Sequence, residues 1–234
     1  MIKQLFIFMM FLLPVMNRAD SGYPVPAIEN QPSLFNALNL SAKGLSAEVF
    51  ELALKGLRKL EAEGKLKNPD ILTIVDFSQS SKMKRFYVID LLNKVLLYNT
   101  YVAHGRNTGD EYATHFSNIS GSYQSSLGFF ITRKETTGAS VGLSLLLDGV
   151  EKGFNDNAMK REIIIHGAAY ATENFIRKTG RLGRSFGCPS LPPDQIKPVV
   201  ESIREGTCLF IYHKDDQYIA HSPVLNDQCR DTGK

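Results

Sequence analysis

Two short stretches carry residue types able to do covalent chemistry. GRLGRSFGCPSLPP, residues 180–193, presents Cys188 in a polar, kinked segment behind Arg181 and Arg184. Cys208, by contrast, sits in the apolar run TCLFIY, where a structural cysteine belongs. A thiol beside arginines is a candidate nucleophile, because positive charge favours the thiolate. Such a nucleophile needs a base, an oxyanion stabiliser and a substrate groove. Gly187 lets backbone approach a carbonyl substrate, and the N–H groups of Gly187 and Cys188 are candidate oxyanion donors. Pro189 stiffens the turn behind the sulfur.

The base must come from His104, His115, His166, His213 or His221. His166 ends the apolar run IIIHG, which as a strand emerges at a sheet edge, and Gly167 frees the backbone after it. That setting fixes an imidazole while leaving it partly accessible, as general-base work requires. Taken alone, the residue also fits a histidine that simply closes a strand. His213, followed by KDD, reads as solvated, and His221 lies in a polar terminal segment. No HxxxH or CxxC spacing is present, so neither a metal site nor a cofactor is expected.

The surrounding elements must hold these groups. From residue 70 the pattern is that of strands: 71–77, 85–92, 94–103, 129–132, 141–147, 161–167 and 207–212 are rich in β-branched and aromatic residues. Asn93-Lys94 suggests a tight hairpin. Ahead of them, LSAEVFELALKGLRKLEAEG is the clearest helix, with Ser46 as N-cap, Gly64 as stop and a stripe of Phe50, Leu54, Leu57 and Leu60. Residues 34–38 suggest one short helical turn. PPDQIKPVVESIREG predicts a second helix started by Pro192 and Pro193, which Pro198 should bend or split. The expected fold is mainly β, a β-rich α+β domain with one or two helices and a helical N-terminal extension.

At 234 residues with 43% apolar and 22% charged residues, the chain is long enough for one domain and an appendage. A net charge of +3 without a Lys/Arg cluster argues against a nucleic-acid partner. Met1-Ile2-Lys3 followed by the apolar run Leu5 to Met16 reads as a signal peptide, too short to span a bilayer, with Ala19 as its end and Asn17 an imperfect cleavage-site residue. Removing it costs Lys3 and Arg18 and leaves a charge of +3 − 2 = +1. The organisation is therefore signal peptide 1–19, proline-rich linker and helical extension 20–66, catalytic domain 67–213 and polar tail 214–234. No stable membrane span remains after signal removal. Export leaves one of three cysteines unpaired, and Cys208 with Cys229 could pair so that Cys188 stays free.

IIIHGAAY followed by SFGC, with Cys188 22 positions after His166, resembles the active-site pattern of the murein L,D-transpeptidases, the YkuD-type domain. HGRNTG, FSNISGSYQSSLGFF, GLSLLLDGVEKGFNDNA and GRLGRSFGCPSLP are similar to a divergent branch of that family, over roughly residues 70–213. The resemblance implies an L,D-transpeptidase-like β-sandwich, Cys188 as nucleophile and His166 as base. It also implies Ser185 and Gly187 at the matching loop positions, and a Gly167 carbonyl orienting the ring. Phe186 departs from the histidine most members carry and cannot share a proton; Pro189 and Ser190 also depart. The substrate implied is a peptidoglycan stem peptide, cleaved before its terminal D-residue through a thioester. An amine resolves the thioester in a transpeptidase and water in an L,D-carboxypeptidase; a decayed, purely binding module is the third possibility. The implied location is the periplasm or the cell wall. The long polar loop 104–128 then offers Tyr112, Ser122, Tyr123, Ser125 and Ser126 as hydroxyls for a polar peptide, whereas Asn155, Asp156 and Asn157 read as a turn.

Overall fold

The computed structural model describes residues 31–226. The expected signal peptide, linker residues 20–30 and Cys229 lie outside the described residues. Helix α1 (Gln31–Ala37) leads to α2 (Ala47–Ala62). Ser46 caps α2 by accepting the Val49 N–H at 3.2 Å, and Val49, Phe50, Ala53, Leu54, Leu57 and Leu60 are buried on its inner face. This face packs on the sheet that follows, so the helix expected to brace the domain belongs to its core.

Among the described residues eight strands form one mixed sheet: β1 (Ile71–Asp76), β2 (Phe86–Asp90), β3 (Val95–Thr100), β4 (Gly128–Gly138), β5 (Gly142–Gly149), β6 (Ile164–Gly167), β7 (Ser190–Leu191) and β8 (Cys208–Tyr212). Their order is β3-β2-β1-β8-β4-β5-β6-β7. The mainly β expectation is met. Every residue of β1 and β8 is buried, which is why both read as unbroken apolar runs: a strand covered on both faces has no polar side to alternate with. These two pair in parallel at the middle of the sheet, and β4 runs antiparallel to β8.

Several expectations shift. The β2–β3 connection spans residues 91–94, because Asp90 accepts the Asn93 N–H at 2.8 Å and widens the turn, with Lys94 at φ 55. Pro192 and Pro193 precede the second helix, α4 (Ile196–Ile203), by a turn. Pro198 therefore falls in its first turn, where the missing N–H would have had no helical partner, and it does not split the helix. Two further short helices appear, α3 (Glu173–Thr179) and α5 (Asp216–His221). Residues 214–226 are held against the core: buried Glu151 accepts the Tyr218 hydroxyl at 2.9 Å, the Phe129 N–H at 2.6 Å and the Ser222 hydroxyl.

Candidate active site

The parallel pairing of β6 with β7 sets His166 opposite Ser190 and Gly167 opposite Leu191. Ser190 also pairs antiparallel with Ala103, so three chain segments converge on one edge of the sheet. That register brings the imidazole within two residues of Cys188. His166 is buried, and Nδ1–H donates to the Gly167 carbonyl at 3.1 Å. Nε2 then carries the lone pair and accepts the Ser190 hydroxyl at 3.0 Å. With its own proton committed there, Ser190 Oγ accepts from the Tyr170 hydroxyl at 3.1 Å. Burial lowers the His166 pKa below its usual value, so the ring is neutral and basic near pH 7.

Cys188 is half-buried in the turn between Ser185 and Ser190 and is a free thiol. Ser185 shapes this turn: its hydroxyl donates to the Cys188 carbonyl at 2.6 Å and accepts the Gly187 N–H at 3.0 Å. The expectation that the Gly187 N–H faces an oxyanion is therefore corrected, since Ser185 already occupies it. The Cys188 N–H makes no hydrogen bond among the described residues and is left as the loop's available donor. The thiol lies 3.8 Å from the Glu162 carbonyl, and no hydrogen bond joins Sγ to His166 among the described residues. Burial raises the Cys188 pKa, opposed by the Ile164 N–H at the sulfur and by the Arg161 charge. The resting sulfur is thus protonated.

The loop 104–128 lies against this turn. Gly105 pairs with Ser185, and a Cβ on Gly105 would stand 2.9 Å from Gly187 Cα, so the two backbones touch. Ser125 and Ser126, expected to bind substrate, are buried instead and serve as ties. Ser125 Oγ donates to the Gly187 carbonyl at 2.9 Å and accepts the Gly105 N–H at 3.1 Å. Ser126 Oγ donates to the Ser117 carbonyl at 2.8 Å and accepts from Arg161 at 2.5 Å. Arg161 also donates to the Ser117 and Gln124 carbonyls at 2.6 and 2.7 Å and to Ser122 Oγ at 3.3 Å, fastening the loop beside the thiol. Tyr112 and Tyr123 remain at the surface, 54% and 39% exposed. Tyr123 packs with Phe186; Tyr112 makes no ring contact among the described residues. Asn155 is buried and donates to the Leu127 and Phe129 carbonyls at 2.9 Å, in keeping with a structural turn.

His104, His213 and Cys208 pack into the domain away from this site. His104 is buried, with Arg85 Nη2 donating to its Nδ1 at 2.8 Å; burial, then the Arg85 charge, push its pKa down to about 3. His213, expected to be solvated, is half-buried against the Phe116 ring at 5.0 Å. Cys208 is a fully buried free thiol on β8, pushed far up by burial. Among the described residues no three His, Cys, Asp or Glu side chains are placed to hold a metal. Sequence reasoning missed Ser190 and Tyr170. The available signal was a hydroxyl two residues past the cysteine, on a strand that must run beside the histidine's.

A family model described as the L,D-transpeptidase catalytic domain matches residues 41–212. Similar solved structures include an L,D-transpeptidase from Mycobacterium smegmatis, at 12% identity, covering 62% of this chain and 59% of that one, with a TM-score of 0.38. An L,D-transpeptidase from Mycobacterium tuberculosis is 15% identical over 62% of this chain and 58% of its own, with a TM-score of 0.37. One from Xylanimonas cellulosilytica is 13% identical over 61% and 60%, with a TM-score of 0.34. The match spans about three fifths of the length of each of these three structures. No curated protein matches the chain.

Proposed function

Because the chain belongs to the L,D-transpeptidase catalytic-domain family, we propose that it acts on peptidoglycan stem peptides through a thioester on Cys188, with His166 as general base. The observation that supports this most is the β6–β7 register, which sets a neutral imidazole with an unprotonated Nε2, held by the Ser190 hydroxyl, beside the cysteine turn. Substrate binding would turn the thiol from the Glu162 carbonyl towards that nitrogen, displacing the Ser190 hydroxyl from it. Sγ then attacks the carbonyl between the L-centre of a diamino acid and the terminal D-residue, and its proton passes to Nε2. The Cys188 N–H faces the developing oxyanion. Collapse breaks the C–N bond, the imidazolium returns the proton to the leaving amine, and the thioester remains. An amine of a second stem attacks it, giving a cross-link and restoring the thiol.

Water attacking the same thioester would instead make the protein an L,D-carboxypeptidase; the half-buried sulfur favours an amine already bound in the groove over bulk solvent. Action on peptidoglycan requires a place outside the cytoplasmic membrane, and the apolar run Leu5 to Met16 supports export to the periplasm or cell wall. No helix among the described residues is long and apolar enough to cross a membrane. Incubation with a disaccharide-tetrapeptide, followed by mass analysis, tests the reading. Cross-linked dimers are expected from the native protein, with a carbapenem adduct on Cys188 that Cys188→Ala loses. Monomeric tripeptide alone would indicate the carboxypeptidase. No adduct and no turnover would leave only a binding module.

A further inference from the structure

Arg106 stands at the rim of the site in an arrangement the thioester chemistry does not use. Its guanidinium carbon lies 4.2 Å from the Tyr123 ring centre and 5.0 Å from that of Phe186, and the rings themselves are 5.1 Å apart. Phe186 is 66% exposed and sits two residues before Cys188. Two exposed rings gathered on one arginine are a poor way to bury hydrocarbon and a good way to hold a guanidinium flat.

The mounting is rigid. The Arg106 N–H donates to the Ser185 carbonyl at 2.8 Å, and Asn107 N–H donates to the Tyr123 carbonyl at 3.2 Å. The Gln124 side-chain amide returns to the Asn107 carbonyl at 3.1 Å. Arg106 is thus fixed to both the cysteine turn and the ring that stacks on it. The nearby acid, Asp110, is taken by Arg184 at 2.6 Å and Arg181 at 3.7 Å. The Arg106 side chain has no hydrogen bond or ion pair among the described residues, so its planar fork of donors is unspent.

We infer that Arg106, resting on the paired rings of Tyr123 and Phe186, is the residue that reads a carboxylate flanking the scissile bond of the stem peptide. This rests on the thioester reading for the identity of the peptide. A planar fork recognises a carboxylate through two parallel N–H···O bonds, and one already immobilised by stacking loses little freedom on binding. Phe186, which has no proton to share, thereby gains a role in the position where a histidine would be expected: it is one of the two rings on which the guanidinium rests.

Two carboxylates qualify, that of the terminal D-residue and that on the side chain of the diamino acid. Calorimetric binding to the full chain carrying Cys188→Ala separates them, using the tetrapeptide stem as free acid, as the D-residue amide and as the diamino-acid amide. One of the two amides is expected to bind about tenfold or more weakly than the acid, the size of a lost charge-assisted pair. Adding Arg106→Met should erase that difference, Arg106→Lys should keep part of it, and Phe186→Ala should reduce it with the arginine still present. Circular dichroism confirms that each variant is folded. If the acid and both amides bind alike, or if the difference survives Arg106→Met, Arg106 does not read a carboxylate. Loss of the carbapenem adduct from the native protein would strike the thioester reading alone.

Discussion

Ser190 Oγ lies 3.0 Å from His166 Nε2 and occupies the lone pair of the nitrogen that would accept the Cys188 proton. A donor on that lone pair stabilises the neutral ring and so holds its pKa down. Ser190→Ala removes the donor. For a hydrogen bond of about 1 kcal/mol, the acid limb of the rate of carbapenem acylation against pH should rise by roughly 0.7 of a pH unit. The rate above that limb should rise by up to about fivefold, because the hydroxyl must leave Nε2 before Sγ can donate to it. Ser190→Thr should restore both, and Tyr170→Phe, which leaves the Ser190 donor in place, should move the limb less. An unmoved acid limb in Ser190→Ala would mean that the hydroxyl merely fills space.

Stability should carry a separate signature from His104. Its folded pKa, pushed down to about 3, lies below the unfolded value near 6.5, so the unfolded chain binds the extra proton first. The sign is then fixed: this contribution is complete above pH 6.5 and is lost as pH falls from 6.5 towards 3. Between pH 6.5 and 5.0 the loss is about 1.6 kcal/mol. The charged neighbours, Arg85 and Arg184, both oppose protonation, while the backbone carbonyl of Gly109 favours it. His104→Asn keeps an acceptor for Arg85 but does not titrate. Urea midpoints at the two pH values should show the native protein losing more than the variant. Equal losses would place the acid sensitivity elsewhere.

Much of this was legible in the sequence, for reasons that differ by residue. Ser46 ahead of a 3.6-residue stripe marked the start of α2 correctly, because capping and amphipathicity are local. The unbroken apolar runs of β1 and β8 were legible because burial on both faces leaves nothing polar to alternate. Ser190 was not, because β7 has only two residues and follows a proline; its strand character comes from its neighbours, β6 and Ala103. Ser125 and Ser126 show the opposite failure. Their hydroxyls were visible as a type, but whether a hydroxyl faces a groove or an arginine behind the loop is decided by tertiary packing. Arg85 was taken for the start of a strand, whereas it is fully buried with its donors spent on Gln79, Val102 and His104.

Gly56 tests the seam between α2 and the sheet. A Cβ there would stand 2.0 Å from Cζ of Phe129, whose ring is stacked on Phe210 with centres 4.2 Å apart. Gly56→Ala gains about 1 kcal/mol of helix propensity. Overpacking a ring that cannot retreat costs about 3 kcal/mol, and it should win. The net loss of about 2 kcal/mol should lower Tm by about 5 °C. A rise in Tm would mean that the helix slides easily over the sheet.

Gly187 and Gly180 separate strain at the nucleophile from strain in general. Both have positive φ, 129 and 82, where a side chain is unfavourable. A Cβ on Gly180 meets nothing within 4 Å, so Gly180→Ala should cost about 1 kcal/mol of stability and leave carbapenem acylation unchanged. A Cβ on Gly187 would stand 2.9 Å from the Gln124 carbonyl oxygen, a backbone atom held from behind by Arg161. The cysteine turn must then move and the loop cannot. Gly187→Ala should therefore slow acylation by more than about tenfold, since a displacement on the order of 1 Å at a nucleophile is that costly. If the two variants acylate at the same rate, the packing of the loop against the turn is not what positions the sulfur.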